Sequence, residues 1–379
     1  MYSRFERRAR ALAVGVAALG LTLAASAGTA AAAPGHTEDR HGHDHGRSTY
    51  QQINLVADTA AGSAKVIDPN LVNPWGVSYG PTSPLWVSNA GTGTSTLYSG
   101  GIHGGTQTIN PLVVKIPGGV PTGQVFNPTT DFVIKAAGGS SGSSRFLFVG
   151  LSGHLSGWAP TVPPPVPSTN AQDAVVTPGA AFTGLAFAST SSGSRLYAAD
   201  FSAGTVDVFN GTFQRVITPG NFEDRRLPRG YSPFNVAVLG DKLYVAYAKI
   251  DRSAGDEVKG RGLGRVDVFT LDGTLLRRLS SHSGLNAPWG LTVAPAGFGA
   301  FSGDLLVGNF GDGRIHAYDP ATLRYQGILR NDYRRPVAID GLWSLTPGNG
   351  VEGGTDEVLF TAGPDDETHG LLGSLSVHK

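Results

Sequence analysis

Apolar residues recur along this chain in a repeating unit rather than at a helical spacing. Six times a Gly-centred apolar segment is followed by a short hydrophobic strand, a Gly-rich turn and a further strand ending in an aromatic or apolar residue. The clearest copies end at Tyr98, Trp158, Phe209, Phe269, Tyr318 and Val377. Self-similarity at a period of roughly 50 to 60 residues, with four short strands in each unit, predicts an all-β fold: a six-bladed β-propeller of four-stranded antiparallel blades.

The pattern also places the strands. Inner strands are expected at Pro74-Trp75-Gly76-Val77, near Asp131-Phe132-Val133, and at Thr183-Gly184-Leu185. The other three are expected at Pro233-Phe234-Asn235-Val236, Pro288-Trp289-Gly290-Leu291 and Asp340-Gly341-Leu342-Trp343. Glycine at these sites suits a crowded backbone approach around a channel. Third strands are clearest in Thr205–Phe209 and Arg265–Phe269, where alternation has a period of two, and Asn210-Gly211 and Asp272-Gly273 suggest two-residue hairpins after them. The sixth unit reaches Lys379 without an outer strand, while Tyr50–Val56 is strand-like and has no blade of its own. Pairing the two would close the ring and hide two sheet edges.

Composition adds an address and removes some partners. Fifty-four Gly, 24 Pro and 15% charged residues fit many short strands joined by tight turns. Twenty-nine Lys and Arg balance 29 Asp and Glu, which leaves no basic footprint for nucleic acid. Arg4, Arg7, Arg8 and Arg10 precede an apolar run from Ala11 to Ala25 and a small-residue zone at Ala30 to Ala33, so residues 1–33 read as a signal peptide. Residues 34–48 read as a solvated linker in which His36, His41, His43 and His45 form a potential metal-binding tract. The propeller then spans 49–379, is expected outside the cytoplasm as a monomer without membrane insertion, and has no cysteine for disulfides.

Candidate chemistry falls where loops entering the inner strands meet loops joining second to third strands. In an antiparallel blade both sets lie at one end of the channel. Trp75 and Trp289 are candidate apolar platforms for a ligand, and Arg226 and Arg334 candidate carboxylate or phosphate contacts. Asp340, Asn309, Asp200 and Asp365 are candidate oxygen ligands for Ca²⁺ or Zn²⁺, with Glu367 and His369 as catalytic candidates in the acidic loop Asp365–His369. The competing reading of Asn89, Asp200 and Asn309 is turn geometry, in which an Asx side chain bonds its own backbone. Gly138-Gly139-Ser140-Ser141-Gly142 fits a nucleophile-elbow pattern but lies in a Gly/Ser-rich hairpin. The loop Lys249–Lys259 brings a second acidic segment to the same end.

Asn73-Pro74-Trp75-Gly76, Ala287-Pro288-Trp289-Gly290, Leu305–Gly313, Ile339-Asp340-Gly341-Leu342-Trp343 and Phe360–Pro364 together resemble a family of secreted bacterial propellers without an assigned activity. That resemblance implies fold and export, and carries no catalytic residues. More distantly, the chain is similar to NHL-type and gluconolactonase-like propellers. That similarity would imply a divalent cation held by Glu, Asn and Asp at inner-strand starts; Asp340 fits such a position, whereas Trp75, Phe234 and Trp289 stand where ligands would be expected. Two functions follow as expectations: binding of a small molecule or cell-wall component at the channel mouth, or metal-dependent hydrolysis of an ester or lactone.

Overall fold

The computed structural model describes residues 48–279 and 284–378. The expected leader over 1–33 and all but the last residue of the linker lie outside them. Six antiparallel sheets surround an axis, and in each the inner strand sits at the end of the strand order, against the inner strands of its two neighbours. The protein is a six-bladed β-propeller. Its inner strands are Pro74–Ser78, Pro121–Phe126, Phe182–Thr190, Tyr231–Leu239, Pro288–Val293 and Leu342–Pro347, here blades 1 to 6 in that order. Among the described residues no helix is long and apolar enough to cross a membrane.

All six inner strands share one irregularity. The register against the second strand shifts at Trp75-Gly76, Thr122-Gly123, Thr183, Phe234, Trp289 and Trp343-Ser344. A bulge re-aims a side chain, and here it falls one step past the start of every blade. The residue at or just after it is Gly76, Gly123, Gly184 or Gly290 in four blades, and Asn235 or Ser344 in the others. Space explains the choice. A Cβ on Gly76 would lie 2.5 Å from the Thr122 carbonyl oxygen of blade 2, and one on Gly123 would strike the Leu185 amide nitrogen of blade 3. The blades touch backbone to backbone at the axis, so even one methyl group has no room there.

Blade 2 corrects the expected inner strand. Val133–Lys135 pairs with Ser141–Ser143 in a separate two-stranded hairpin, inserted between Pro121–Phe126 and the second strand Phe146–Gly150. Phe132, at φ 59°, is fully buried against Phe187 and Phe213 of blade 3. Its apolar run therefore anchors an insertion, and Asp131 stands beside Gly211 at an outer turn rather than at the channel. The two hairpins expected after Asn210 and Asp272 are also longer than two residues. Their strands stop at Asn210 and Thr270 and resume at Arg215 and Leu275. Asn210 Oδ1 accepts from both Thr212 N and Gln214 N, which stabilises the wider loop.

Closure follows the expected scheme. Tyr50–Ala57 is antiparallel to Leu371–Val377, from Tyr50↔Val377 to Ala57↔Leu371, with one bulge between Asn54 and Val56. Val66–Ile67 then adds in parallel outside it, so sheet 6 has five strands.

A second fastening joins blades 6 and 1. The loop after Pro347 bonds across to Gly100 through Val351 and Gly353, and carries two fully buried carboxylates. Glu357 accepts from His103 N at 2.8 Å, Gly354 N at 2.5 Å and Ser374 Oγ at 3.2 Å, whereas Glu352 receives only Gln107 Nε2 at 3.2 Å. Burial first, and the charge of Glu357 second, push the Glu352 carboxyl up to about 8. The folded chain thus keeps a proton that the unfolded chain releases near pH 4.5. Stability from this group is full below that pH and is lost as pH rises toward 8. Glu352→Gln should therefore flatten the loss of stability between pH 5 and pH 8, measured by urea unfolding at both; parallel losses in the two proteins would contradict this.

Candidate ligand-binding channel

The two ends of the channel differ. At the end where the inner strands begin, the bulges turn Trp75, Phe234, Trp289 and Trp343 inward, and Phe201 and Phe310 join them from second-to-third strand loops. Trp343 is fully buried, with ring centroids 3.5 Å from Trp75 and 3.8 Å from Phe310, both stacked. Trp289 meets Trp75 and Trp343 edge to face at 6.0 and 5.9 Å. Such pairs add to the burial of large apolar surfaces. The indole N–H of Trp289 donates to the Thr183 carbonyl and that of Trp343 to Asn73 Oδ1, each at 2.9 Å. This end is plugged.

The rim above the plug holds most of the residues singled out from the sequence. Pro364–Glu367 forms one short turn, with Asp365, Asp366 and Glu367 at φ 54°, 53° and 69°. Three successive non-glycine residues in this region are rare and strained. The turn lets Asp340 Oδ2 accept from Asp365 N and Glu367 Oε2 accept from Asn73 Nδ2, both at 2.9 Å. Glu367 thereby holds Asn73, which holds Trp343. His369 Nδ1 lies 2.8 Å from Asp58 Oδ2, next to the closing strand.

The hairpin of blade 4, Lys242–Asp251 with Asp256–Val258, leans over the same rim. Lys259 Nζ sits 4.1 Å above the Phe310 ring. Burial, then the charge of Glu367, pushes the Glu257 carboxyl up to about 7.

Of the four candidate cation ligands, only Asp340 and Asp365 are brought together. Asp200 ends its strand in blade 3, and its Oδ1 accepts from Ala181 N, Ser202 N, Ser202 Oγ and Ala203 N. Asn309 ends its strand in blade 5, donating to Gly284 O and Asp312 Oδ1 and accepting from Asn286 N. Both make the turn contacts that Asx side chains favour. Among the described residues no three His, Asp or Glu side chains group as a cation would require. Arg226 and Arg334 are exposed in loops leading from an outer strand to the next inner strand, and neither lines the channel.

The opposite end is open. A cavity of about 610 Å³ runs from the inner-strand ends, at Tyr79, Phe126, Phe187, Leu239, Val293 and Pro347, up to Trp289 and Asn235. Every blade contributes. The volume lies within the usual range for small-molecule sites. Gln124, Asn235, Ser344, Thr346 and Ser78 supply polar groups among the apolar ones, and Ser78 Oγ is buried with no hydrogen-bond partner. Because each inner strand is a sheet edge, its outer backbone N–H and C=O groups also face the axis without a strand partner. Among the described residues no Asp, Glu, Lys, Arg or His side chain lines the cavity.

The expected mouth, at the inner-strand starts, is filled by aromatic side chains, and the cavity lies at the other end. Loop position correctly grouped Trp75, Trp289, Asp340 and Glu367, but the aromatic residues there fill the axis instead of bordering it. Trp289 alone of the named candidates reaches the cavity, at its inner end. Tyr79, Gln124, Phe126 and Thr346 were not foreseen. Aligning the inner strands on their second residue would have found them, since Pro-Trp-Gly, Pro-Thr-Gly, Phe-Thr-Gly, Pro-Phe-Asn, Pro-Trp-Gly and Leu-Trp-Ser share one register.

Fold and site define a six-bladed propeller whose channel is plugged at one end and open at the other. No protein-family model matches the chain. It belongs to one family with two uncharacterised proteins of Acanthamoeba polyphaga mimivirus. The first is 35% identical over 337 residues, 86% of this chain and 80% of that protein. The second is 34% identical over 336 residues, 86% and 85%. These relatives are viral, whereas the sequence motifs had resembled bacterial proteins. Similar solved structures include a virginiamycin B lyase from Staphylococcus aureus, with TM-score 0.47 and 11% identity over 88% of this chain and all of that one. A gluconolactonase of Xanthomonas campestris has TM-score 0.38 and 14% identity, covering 62% of this chain and 83% of its own.

Proposed function

We propose that this protein is an exported ligand-binding propeller that takes a small, uncharged, largely flat molecule into its channel from the end where the inner strands finish. The observation that carries the reading is the lining: an apolar and aromatic cavity with hydroxyl and amide groups, bordered by the free edges of the inner strands, and, among the described residues, no Asp, Glu, Lys, Arg or His. Burying a charge there would be costly, because no counter-charge is available. The free inner-strand edges and Ser78 Oγ can instead bond a neutral polar ligand. Metal-dependent hydrolysis is less well supported, since the acidic and histidine residues lie beyond the plug. Export rests on the basic and apolar pattern of residues 4–33.

2-Naphthamide serves as a neutral probe. Equilibrium dialysis should show one saturable site per chain, little changed between low and high salt, since no ion pair is formed. Thr346→Trp, which places a large ring at the open mouth, should weaken binding at least tenfold. Unsaturable uptake, or full binding by this variant, would refute the proposal.

A further inference from the structure

A second cavity, of about 540 Å³, lies beside the open mouth between blades 1 and 2. Its floor is aromatic. Trp86 stacks on Phe146 with centroids 4.2 Å apart, Trp158 lies 4.7 Å from Trp86, and Phe126 meets Phe146 edge to face at 5.5 Å. Leu97 and Leu112 extend the apolar wall, and the loop Gly80-Pro81-Thr82-Ser83-Pro84 forms one side. That loop is shaped around the pocket. A Cβ on Gly80 would lie 2.8 Å from the Phe126 ring, and Gly80 N donates to Ser83 Oγ at 2.7 Å to hold the turn.

The electrostatics of this pocket differ from those of the channel. Among the described residues Arg145 is the single charged one in its lining, and its side chain is exposed. Its backbone N–H donates to the Trp158 carbonyl at 2.7 Å, which fixes the residue at the pocket's edge. Its guanidinium makes no ion pair or hydrogen bond among the described residues. An unpaired guanidinium fork at the mouth of an aromatic, acid-free pocket is complementary to a carboxylate carried on an apolar body. An ordinary surface arginine would have neither the cavity nor the aromatic floor beside it.

We infer that this pocket is a binding site for amphipathic monocarboxylates, the carboxylate paired with Arg145 and the aromatic or aliphatic body lying over Trp86, Phe126 and Phe146. The site is distinct from the channel, although Phe126 and Pro128 line both. It therefore does not depend on the channel ligand being uncharged.

2-Naphthoate and 2-naphthamide separate the two sites, because they differ only in the charged group. Measured by calorimetry on the intact protein, naphthoate should bind with an affinity that falls about tenfold in Arg145→Gln and falls with added salt, while remaining in Thr346→Trp. Naphthamide should show the reverse dependence on the two variants. Arg145 is exposed, so its replacement is not expected to disturb folding. Naphthamide binding that falls in Arg145→Gln as far as naphthoate binding does, unchanged naphthoate binding in Arg145→Gln, or no naphthoate binding at millimolar concentration would each overturn the inference. Loss of naphthamide binding alone would count against the channel reading and leave this one standing.

Discussion

Deleting residues 48–57 should abolish cooperative folding, the largest effect expected of any change considered. The segment supplies the strand from Tyr50 to Ala57 that joins the last blade, and its Leu55, Val56 and Ala57 are fully buried while Tyr50 is 1% exposed. Burial of a large apolar side chain is worth about 1.5–3 kcal/mol, so these residues together contribute on the order of 5 kcal/mol or more, before the ladder of hydrogen bonds is counted. The whole stability of a domain is about 5–15 kcal/mol. Losing the strand also bares Leu371–Val377 as a long apolar edge, a template for aggregation. The truncated chain should elute as aggregate on size exclusion and show no sharp thermal transition. A peptide spanning 48–58, added during refolding, should restore part of the monomeric fraction. A monomeric truncated chain with an unchanged Tm would show that closure does not depend on this strand.

Trp343→Ala is the second large effect, and it probes the plug. Trp343 is fully buried, is stacked on both faces by Trp75 and Phe310, and is bonded to Asn73. Replacing a buried Trp by Ala costs about 3–5 kcal/mol through lost contacts and the remaining cavity. For a domain of this size that corresponds to a fall in Tm of roughly 4–7 °C. The substitution would also strand Asn73 Oδ1, which otherwise links the plug to Glu367. Acrylamide should quench the remaining channel tryptophans more strongly, as the axis becomes open from both ends. Trp343→Phe separates the two contributions: it keeps most of the stacking and loses only the hydrogen bond, so its loss should be less than half as large. Equal destabilisation by Ala and Phe would mean that the Asn73 contact, and not packing, holds the plug.

The rim adds a constraint on how the plugged end is built. Three consecutive left-handed residues at 365–367 are held by Asp340 below and Asn73 beside them. Backbone strain of this kind persists only where the surroundings over-determine it. Here what it achieves is visible: the turn delivers Glu367 to Asn73 and so fixes the amide that receives the Trp343 N–H.

The chain's own pattern determined the number of blades, the order of most strands and the closing partner. Those features depend on short-range alternation and turn chemistry, which each repeat displays by itself: Thr205–Phe209 alternates whatever surrounds it, and Tyr50–Val56 is apolar enough to need a partner. Blade 2 departed because Phe132 and Val133 satisfy the same local pattern as an inner strand, and only contacts with Phe187 and Phe213 of the next blade make them an insertion. The loops at each end of the channel could also be grouped from topology. Which end is open could not. That depends on whether four aromatic residues, each set by a bulge on a different blade, meet across the axis, and on Phe310 and Phe201 reaching in from other loops. No segment of sequence contains that meeting. The same holds for Glu352 and for Arg145: the burial that raises one and the aromatic pocket beside the other are made by neighbouring blades far away in sequence, and so exist only once the ring has closed.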